Sequence, residues 1–126
     1  MISVHLEHRL NDYGTWLETF NSAPVRAEVE SEYGVKASRI LRNADSPNHC
    51  YVALEAPDSE TFKAFWSDAR MLSALEERST LFTTPPQVSG MYNTYDIEGP
   101  NGNSLGVLAE HHLNDFEAWL AIFKEG

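Results

Sequence analysis

The chain has 126 residues, of which 42% are hydrophobic and 11% are aromatic, so it is long enough and apolar enough to bury a core. Its formal net charge of −10 repels nucleic-acid phosphates and anionic lipid head groups, which argues against nucleic acid and membranes as partners. The single cysteine, Cys50, excludes an internal disulfide. The sequence shows no signal-peptide pattern and no apolar run of membrane-spanning length, so we expect a cytoplasmic protein.

The first element has the pattern of a half-buried strand. In residues 2–8, ISVHLEH, apolar and polar positions alternate with the two-residue period of a strand. The more apolar face of this strand carries Ile2, Val4, Leu6 and His8.

Two helical pieces should follow the strand. Asn11 or Asp12 can supply the N-cap oxygen, and Pro24 should end or kink the first piece. The second piece should run to about Ser31, and Gly34 is its predicted stop. At helical spacing, the apolar stripe of the first piece consists of Tyr13, Trp16, Leu17 and Phe20.

A hairpin and a third helix come next. Residues 35–43 (VKASRILRN) and 49–56 (HCYVALEA) favour strands, and the turn residues ADSPN between them predict an antiparallel hairpin. Asp58 or Ser59 should cap the following helix. Its apolar stripe consists of Phe62, Phe65 and Trp66.

The last part of the first domain is a short helix and a strand. Ser67 or Asp68 should cap the helix, and TTPP at residues 83–86 should break it. Residues 87–97 (QVSGMYNTYDI) predict a fourth strand, and EGPNGNS at residues 98–104 predicts a linker. The resulting order, β-α-β-β-α-β, predicts a ferredoxin-like α+β fold with an antiparallel sheet and helices on one face.

The opening stretch of the sequence recurs near its end. Residues 4–20 and 107–123 are identical at nine of seventeen positions. Residues 105–126 are therefore interpreted as the first strand and helix of a second, incomplete repeat, which follows a domain of residues 1–97. Two explanations stay open: the chain is the front part of a longer tandem, or the segment is a natural extension that docks on the sheet edge or on a partner subunit.

The sequence resembles a known superfamily in three stretches: residues 4–20, residues 39–56 (RILRNADSPNHCYVALEA) and residues 58–77 (DSETFKAFWSDARMLSALEE). They are similar to the dimeric α/β-barrel superfamily, and within it to uncharacterised proteins related to the antibiotic biosynthesis monooxygenases. The resemblance implies a homodimer in which two four-stranded sheets meet through their faces and close a barrel. It also implies a ligand cavity between sheet and helices.

His8 is the candidate catalytic residue. An imidazole on an apolar strand face can act as a general acid or base, because its pKa lies near working pH. The alternative is a structural histidine that orders the helix start after it. His111 lies at the equivalent position of the repeat and fits either interpretation.

Aromatic side chains are the candidate ligand-binding residues. They could line a pocket for a planar or apolar molecule, or they could be ordinary core packing. The selected residues are Tyr13, Trp16, Phe65 and Trp66.

Other kinds of site are disfavoured. The sequence has five histidines, but it contains no Glu-x-x-His pattern and no cluster of cysteines, so no metal site is predicted. No nucleotide fingerprint occurs either, and no cofactor is expected. GNSLG at residues 102–106 lacks the strand–turn–helix context of a nucleophile elbow and is interpreted as linker.

Three functions remain open on these residues. The first is a domain that binds a small apolar or aromatic molecule in the sheet–helix cleft. By resemblance, the second is a cofactor-independent monooxygenase that oxidises an aromatic substrate with molecular oxygen. The third is a structural or interaction module without catalysis, and the sequence does not decide whether the protein is an enzyme.

Overall fold

The computed structural model describes residues 1–94 and 109–125. These residues belong to two compact units. The first unit is Met1–Thr94, and the second unit, which follows it in the chain, includes residues 109–125. The strands are β1 (Ile2–Leu10), β2 (Lys36–Arg42), β3 (His49–Ala56) and β4 (Phe82–Asn93). The helices are α1 (Tyr13–Ser22), α2 (Pro24–Tyr33), α3 (Ser59–Trp66), α4 (Ala69–Glu77) and α5 (Phe116–Glu125), with a short 3-10 helix at Ser79–Leu81.

The first unit has the ferredoxin-like α+β architecture that the element order predicts. Its four strands form one sheet in the order β2-β3-β1-β4, and every neighbouring pair is antiparallel. The central strand β1 pairs with β3 on one side, where Val4 lies opposite Leu54, and with β4 on the other. The edge strands are therefore β2 and β4.

The core of the first unit lies on one face of this sheet. Val4 of β1 is completely buried there, and His8, which is in phase with it, is also buried. Phe62 and Phe65 of α3 are almost completely buried in the same core. The helices thus cover the apolar strand face that the alternation of residues 2–8 predicts.

Aspartate caps begin three helices of the first unit, and in each case one of the two predicted candidates is used. The carboxylate of each cap accepts a hydrogen bond from a backbone N–H in the first helical turn. The pairs are Asp12 with Thr15 (2.9 Å), Asp58 with Thr61 (2.7 Å) and Asp68 with Arg70 (2.8 Å). Helix α2 ends at Tyr33, two residues later than expected, and Gly34 stops it in the left-handed conformation with φ 67°.

The fourth strand begins earlier than the sequence suggests. It starts at Phe82, whereas the two prolines at residues 85–86 predict a start at Gln87. Prolines are tolerated here because β4 is an edge strand, in which every second N–H points away from the sheet. The pairing register with β1 shifts between Glu7 and Arg9, opposite these prolines.

The second unit contains the predicted helix, α5, but its described part contains no strand. Residues 109–112, which should end the second strand, are not paired with any described strand. In the first unit the equivalent residues, 6–9, belong to β1, which is paired with β3 on one side and β4 on the other. The described part of the second unit contains no strands that could pair with residues 109–112 in this way. The linker, the GNSLG stretch and residues 105–108 lie outside the described residues.

In the described residues, no helix is long and apolar enough to cross a membrane.

Candidate functional site

A cavity lies between the sheet and the helices of the first unit. Its floor is formed by Leu6, His8, Val52, Leu54 and Phe82. One wall comes from α1 and α2, through Trp16, Thr19, Phe20, Ala23, Arg26 and Glu30. The other wall comes from α3, α4 and the residues after them, through Phe65, Trp66, Met71, Ala74, Leu75, Arg78 and Leu81. Most of this lining is apolar, so the few polar groups in it determine what the cavity can recognise.

His8 is held in one tautomer by its own strand. Its Nδ1 lies 3.1 Å from the carbonyl oxygen of Leu6, and this contact is a hydrogen bond only when Nδ1 carries the proton. Burial lowers the pKa of His8 from 6.5 to about 4, because a charged imidazole would lose its hydration here. At neutral pH the ring is therefore uncharged, with a proton on Nδ1 and a lone pair on Nε2.

The Nε2 atom of His8 makes no hydrogen bond to a described residue. In the described part of the chain, no fully buried side-chain nitrogen or oxygen lacks a hydrogen-bond partner. Nε2 therefore keeps some accessible surface, and His8 is one of the residues that line the cavity. A bound molecule can donate a hydrogen bond to this nitrogen.

Aromatic rings fix the position of the imidazole. The ring centroid of His8 lies 5.2 Å from that of Trp16 and 5.9 Å from that of Phe82. Trp16 in turn stacks on Phe20 at 5.0 Å. These contacts restrict rotation of the imidazole and keep Nε2 directed at a constant place.

The cavity is small. Its volume is about 90 Å³, compared with 150 Å³ for an engineered cavity that binds benzene. A ligand no larger than one ring, or a short chain, therefore suits it best. A larger molecule would require the two helical walls to move apart.

A partly buried ion pair lies at the α2 side of the cavity. Arg26 Nη1 is 2.6 Å from a carboxylate oxygen of Glu30, which is 7% exposed. The second oxygen of Glu30 accepts a hydrogen bond from the backbone N–H of Ala37 at 3.1 Å. Burial raises the pKa of Glu30, while Arg26 acts in the opposite direction. The pair ties α2 to the start of β2 and leaves Glu30 no free oxygen for a ligand.

The sequence-predicted site residues fall into two groups. His8, Trp16, Phe65 and Trp66 all line the cavity. Tyr13 does not: its ring lies beneath the guanidinium of Arg42, 3.9 Å from the centroid, and it reaches the site only through contact with Trp16.

Sequence reasoning missed the charged groups of the cavity. Arg26 and Glu30 stand four residues apart on a helix, a spacing that favours an ion pair and could have revealed them. Arg78 follows α4 and carries no local pattern that places it at a cavity. Only the packing of α4 against α2 and α3 brings it there.

Metal binding and thiol chemistry find no support in the described residues. They contain no group of three or more histidine, cysteine or acidic side chains that could hold a metal ion. Cys50 is buried, and desolvation raises the pKa of its thiol to about 11, so the reactive thiolate is scarce at neutral pH.

The second unit repeats part of this geometry. His111 lies 5.2 Å from Trp119, and Trp119 stacks on Phe123 at 5.0 Å. His111 Nδ1 approaches the carbonyl oxygen of Ala109 at 3.3 Å, as His8 approaches Leu6. His111 is exposed, so this copy lacks the burial that characterises His8.

Solved structures with the same architecture were found. A "putative antibiotic biosynthesis monooxygenase" from Nitrosomonas europaea is 15% identical, with a TM-score of 0.55 over 75% of this chain and 98% of that one. A protein of the same name from Bordetella bronchiseptica is 14% identical, with a TM-score of 0.59 over 75% and 96% of the two chains. A conserved protein from Methanosarcina mazei is 11% identical, with a TM-score of 0.51 over 75% and 92%. No protein-family model and no curated protein matches the sequence.

Residues 1–94 share the ferredoxin-like fold of these proteins. At such low identity the likeness establishes the fold of this domain and leaves its chemistry to the site itself. The resemblance expected from the three sequence stretches is thereby confirmed at the level of fold. The ferredoxin-like domain contains the complete cavity described above.

Proposed function

We propose that the ferredoxin-like domain binds a small apolar or aromatic molecule in the cavity between sheet and helices. The observation that carries the proposal is the unpaired Nε2 of His8, a residue that lines a largely apolar cavity. A ligand with one hydroxyl or N–H group on an apolar body would fill the cavity and satisfy this nitrogen.

The electrostatics of His8 favour hydrogen bonding over complete proton transfer. Its pKa of about 4 lies roughly six units below that of a phenol, near 10. Moving the proton from a bound phenol to Nε2 would therefore cost about 8 kcal/mol. His8 is consequently a good hydrogen-bond acceptor for such a ligand and a weak base towards it.

Binding of phenol tests the proposal. In isothermal titration calorimetry, phenol should bind saturably to the wild-type protein. Ala74 lines the cavity, so Ala74→Trp should fill it and abolish binding. Ala64 is exposed on α3 and does not line the cavity, so Ala64→Trp should bind phenol like the wild type. If the wild type shows no saturable heat, or if Ala74→Trp binds equally well, the cavity is not a ligand site.

A second candidate function is cofactor-independent oxidation of an aromatic substrate. It is favoured by the shared fold with two proteins named for antibiotic biosynthesis monooxygenase activity. His8 would accept the hydrogen bond of a bound hydroquinone and make its ring more electron-rich. An oxygen electrode should then record oxygen uptake with hydroquinone that His8→Ala lowers at least tenfold. Uptake that is equal in both proteins would reject this role for His8.

We also propose that two copies associate through the sheet face opposite the helices. On this face Glu7 accepts hydrogen bonds from His49 (3.1 Å) and Tyr51 (2.9 Å). His5 lies 5.1 Å from Tyr92, which is 51% exposed. Aromatic and histidine side chains that are half-buried or exposed on a sheet face are suited to a self-complementary contact.

A further inference from the structure

One further polar group of the cavity, Arg78, comes from the helix side. Arg78 follows α4 as its C-cap, and it lines the cavity together with Leu75, Leu81 and Phe82. Its side chain is half-buried. A guanidinium in this position is a permanent positive charge beside an apolar wall.

Arg78 lacks a carboxylate partner among the described residues. No described acidic oxygen lies within 4.0 Å of it, although the sequence contains nineteen acidic residues and nine basic ones. Its recorded hydrogen bond, from Nη1 to the carbonyl oxygen of Ala74, measures 3.4 Å and is therefore long. Most of the donors of Arg78 are thus free to bind another group.

Other arginines of this domain are already engaged or lie outside the cavity. Arg26 donates to Glu30 and twice to the carbonyl oxygen of Phe20, and its guanidinium lies over the Phe20 ring. Arg70 binds Glu32 and Asp68. Arg39 has no recorded ion pair either, but it is exposed on the edge strand β2, where water can solvate it.

We propose that the ligand of this cavity carries a carboxylate, which Arg78 binds, while a hydroxyl or N–H group at the other end of a short apolar body donates to His8. This inference rests on the proposed function and adds a ligand class to it, small carboxylates that also carry a hydroxyl or N–H donor. The planar fork of a guanidinium matches the two oxygens of a carboxylate. The net charge of −10 would disfavour an anion elsewhere on the protein, so a preference for the anion requires a local positive group.

A matched pair of ligands tests the inference by calorimetry. 4-Hydroxybutanoate and 4-hydroxybutanamide have almost the same shape, and only the first is charged. Each is a short chain with a hydroxyl that can donate to His8. The wild type should bind 4-hydroxybutanoate about tenfold more tightly, as expected for charge-assisted hydrogen bonds at a half-exposed site. Arg78→Gln should remove this preference without weakening 4-hydroxybutanamide, and Arg78→Lys should restore part of it.

The control is Arg42→Gln, because Arg42 lies outside the cavity and stacks on Tyr13. This variant should keep the preference for 4-hydroxybutanoate. Equal binding of both ligands by the wild type would overturn the carboxylate inference and leave the cavity as a ligand site. A preference that persists in Arg78→Gln would reject Arg78 as its source. Absence of binding by both ligands, in a protein that also fails to bind phenol, would overturn the proposed function as well.

Discussion

The imidazole of His8 and the indole of Trp16 lie 5.2 Å apart, with their ring planes inclined by 53°. The same relationship recurs between His111 and Trp119, at 5.2 Å and 47°, although His111 is not in a strand. The arrangement therefore follows from local sequence. In both units a histidine is followed eight residues later by a tryptophan, which lies in the first turns of a helix capped by aspartate. The tertiary fold adds burial, and burial gives His8 its lowered pKa.

The helix caps provide a test that uses this repeat. Asp12→Ala should lower the free energy of unfolding of the first unit by about 1 kcal/mol, because the N–H of Thr15 loses its acceptor. Urea denaturation followed by circular dichroism measures the change. Asp115 makes the equivalent bond to Ala118 in the second unit, so Asp115→Ala should leave the unfolding of the first unit unchanged. Equal losses in both variants would show that the two caps do not act within separate units.

His8 should make stability depend on pH in a defined direction. Its pKa is about 4 in the folded state and 6.5 in the unfolded state, so between these values the unfolded chain binds the extra proton. The stabilisation is complete above pH 6.5 and is lost as the pH falls towards 4. Between pH 7 and 5 the loss should amount to about 2 kcal/mol.

The variant His8→Phe should remove this part of the pH dependence, because it keeps an aromatic ring against Trp16 but has no titratable group. Urea denaturation at pH 7 and pH 5 measures the difference between the two proteins. Burial also lowers the pKa of His5, but His5 is present in both proteins and cancels in the comparison. Parallel pH profiles for the two proteins would mean that His8 is not held uncharged by burial.

The partly buried ion pair should be far more sensitive to substitution than a surface cluster. Arg26→Ala leaves the carboxylate of Glu30 buried without its cation, and it should cost about 3 kcal/mol of unfolding free energy. Arg70 also binds acidic residues, but it is 40% exposed, so Arg70→Ala should cost at most about 1 kcal/mol. Thermal unfolding of both variants measures the loss of stability in each. Equal losses in Arg26→Ala and Arg70→Ala would contradict the expected difference between the buried carboxylate and the surface cluster.

The sequence predicted those features that local patterns encode. Alternation placed His8 and Val4 on the buried face, and the short acidic residues marked the helix starts at Asp12, Asp58 and Asp68. The start of β4 was placed five residues too late, because a proline stops a central strand but not an edge strand, and the sequence does not state which strands are edges.

The charged part of the site depends on tertiary packing. Helical spacing placed Trp16, Phe65 and Trp66 on inward-facing helix surfaces, where they line the cavity, but it cannot separate pocket from core, and their role in binding stays a prediction. Arg78 reaches the cavity only through the packing of α4, and Tyr13 is turned away by its stacking with Arg42. Neither contact has a sequence period that could have predicted it.

The proposed dimer can be tested with two substitutions of equal exposure. Tyr92 on the sheet face is 51% exposed and Leu72 on α4 is 50% exposed. If the sheet faces associate, Tyr92→Glu should place two new charges in the interface and give a monomer, while Leu72→Glu should remain a dimer. Size-exclusion chromatography with light scattering reports both masses. A wild-type monomer, or a dimer unaffected by Tyr92→Glu, would contradict association through this face.

The most direct test of ligand binding at His8 is an NMR titration of the histidine rings with phenol. In protein labelled with ¹⁵N on histidine, the Nε2 resonance of His8 should shift and saturate, because the phenol hydroxyl donates to it. His111 has the same local geometry but is exposed, so its resonance is an internal control and should not move. A saturable shift of His8 alone is the result that the account predicts. An unchanged His8, or equal small shifts of His8 and His111, would contradict it.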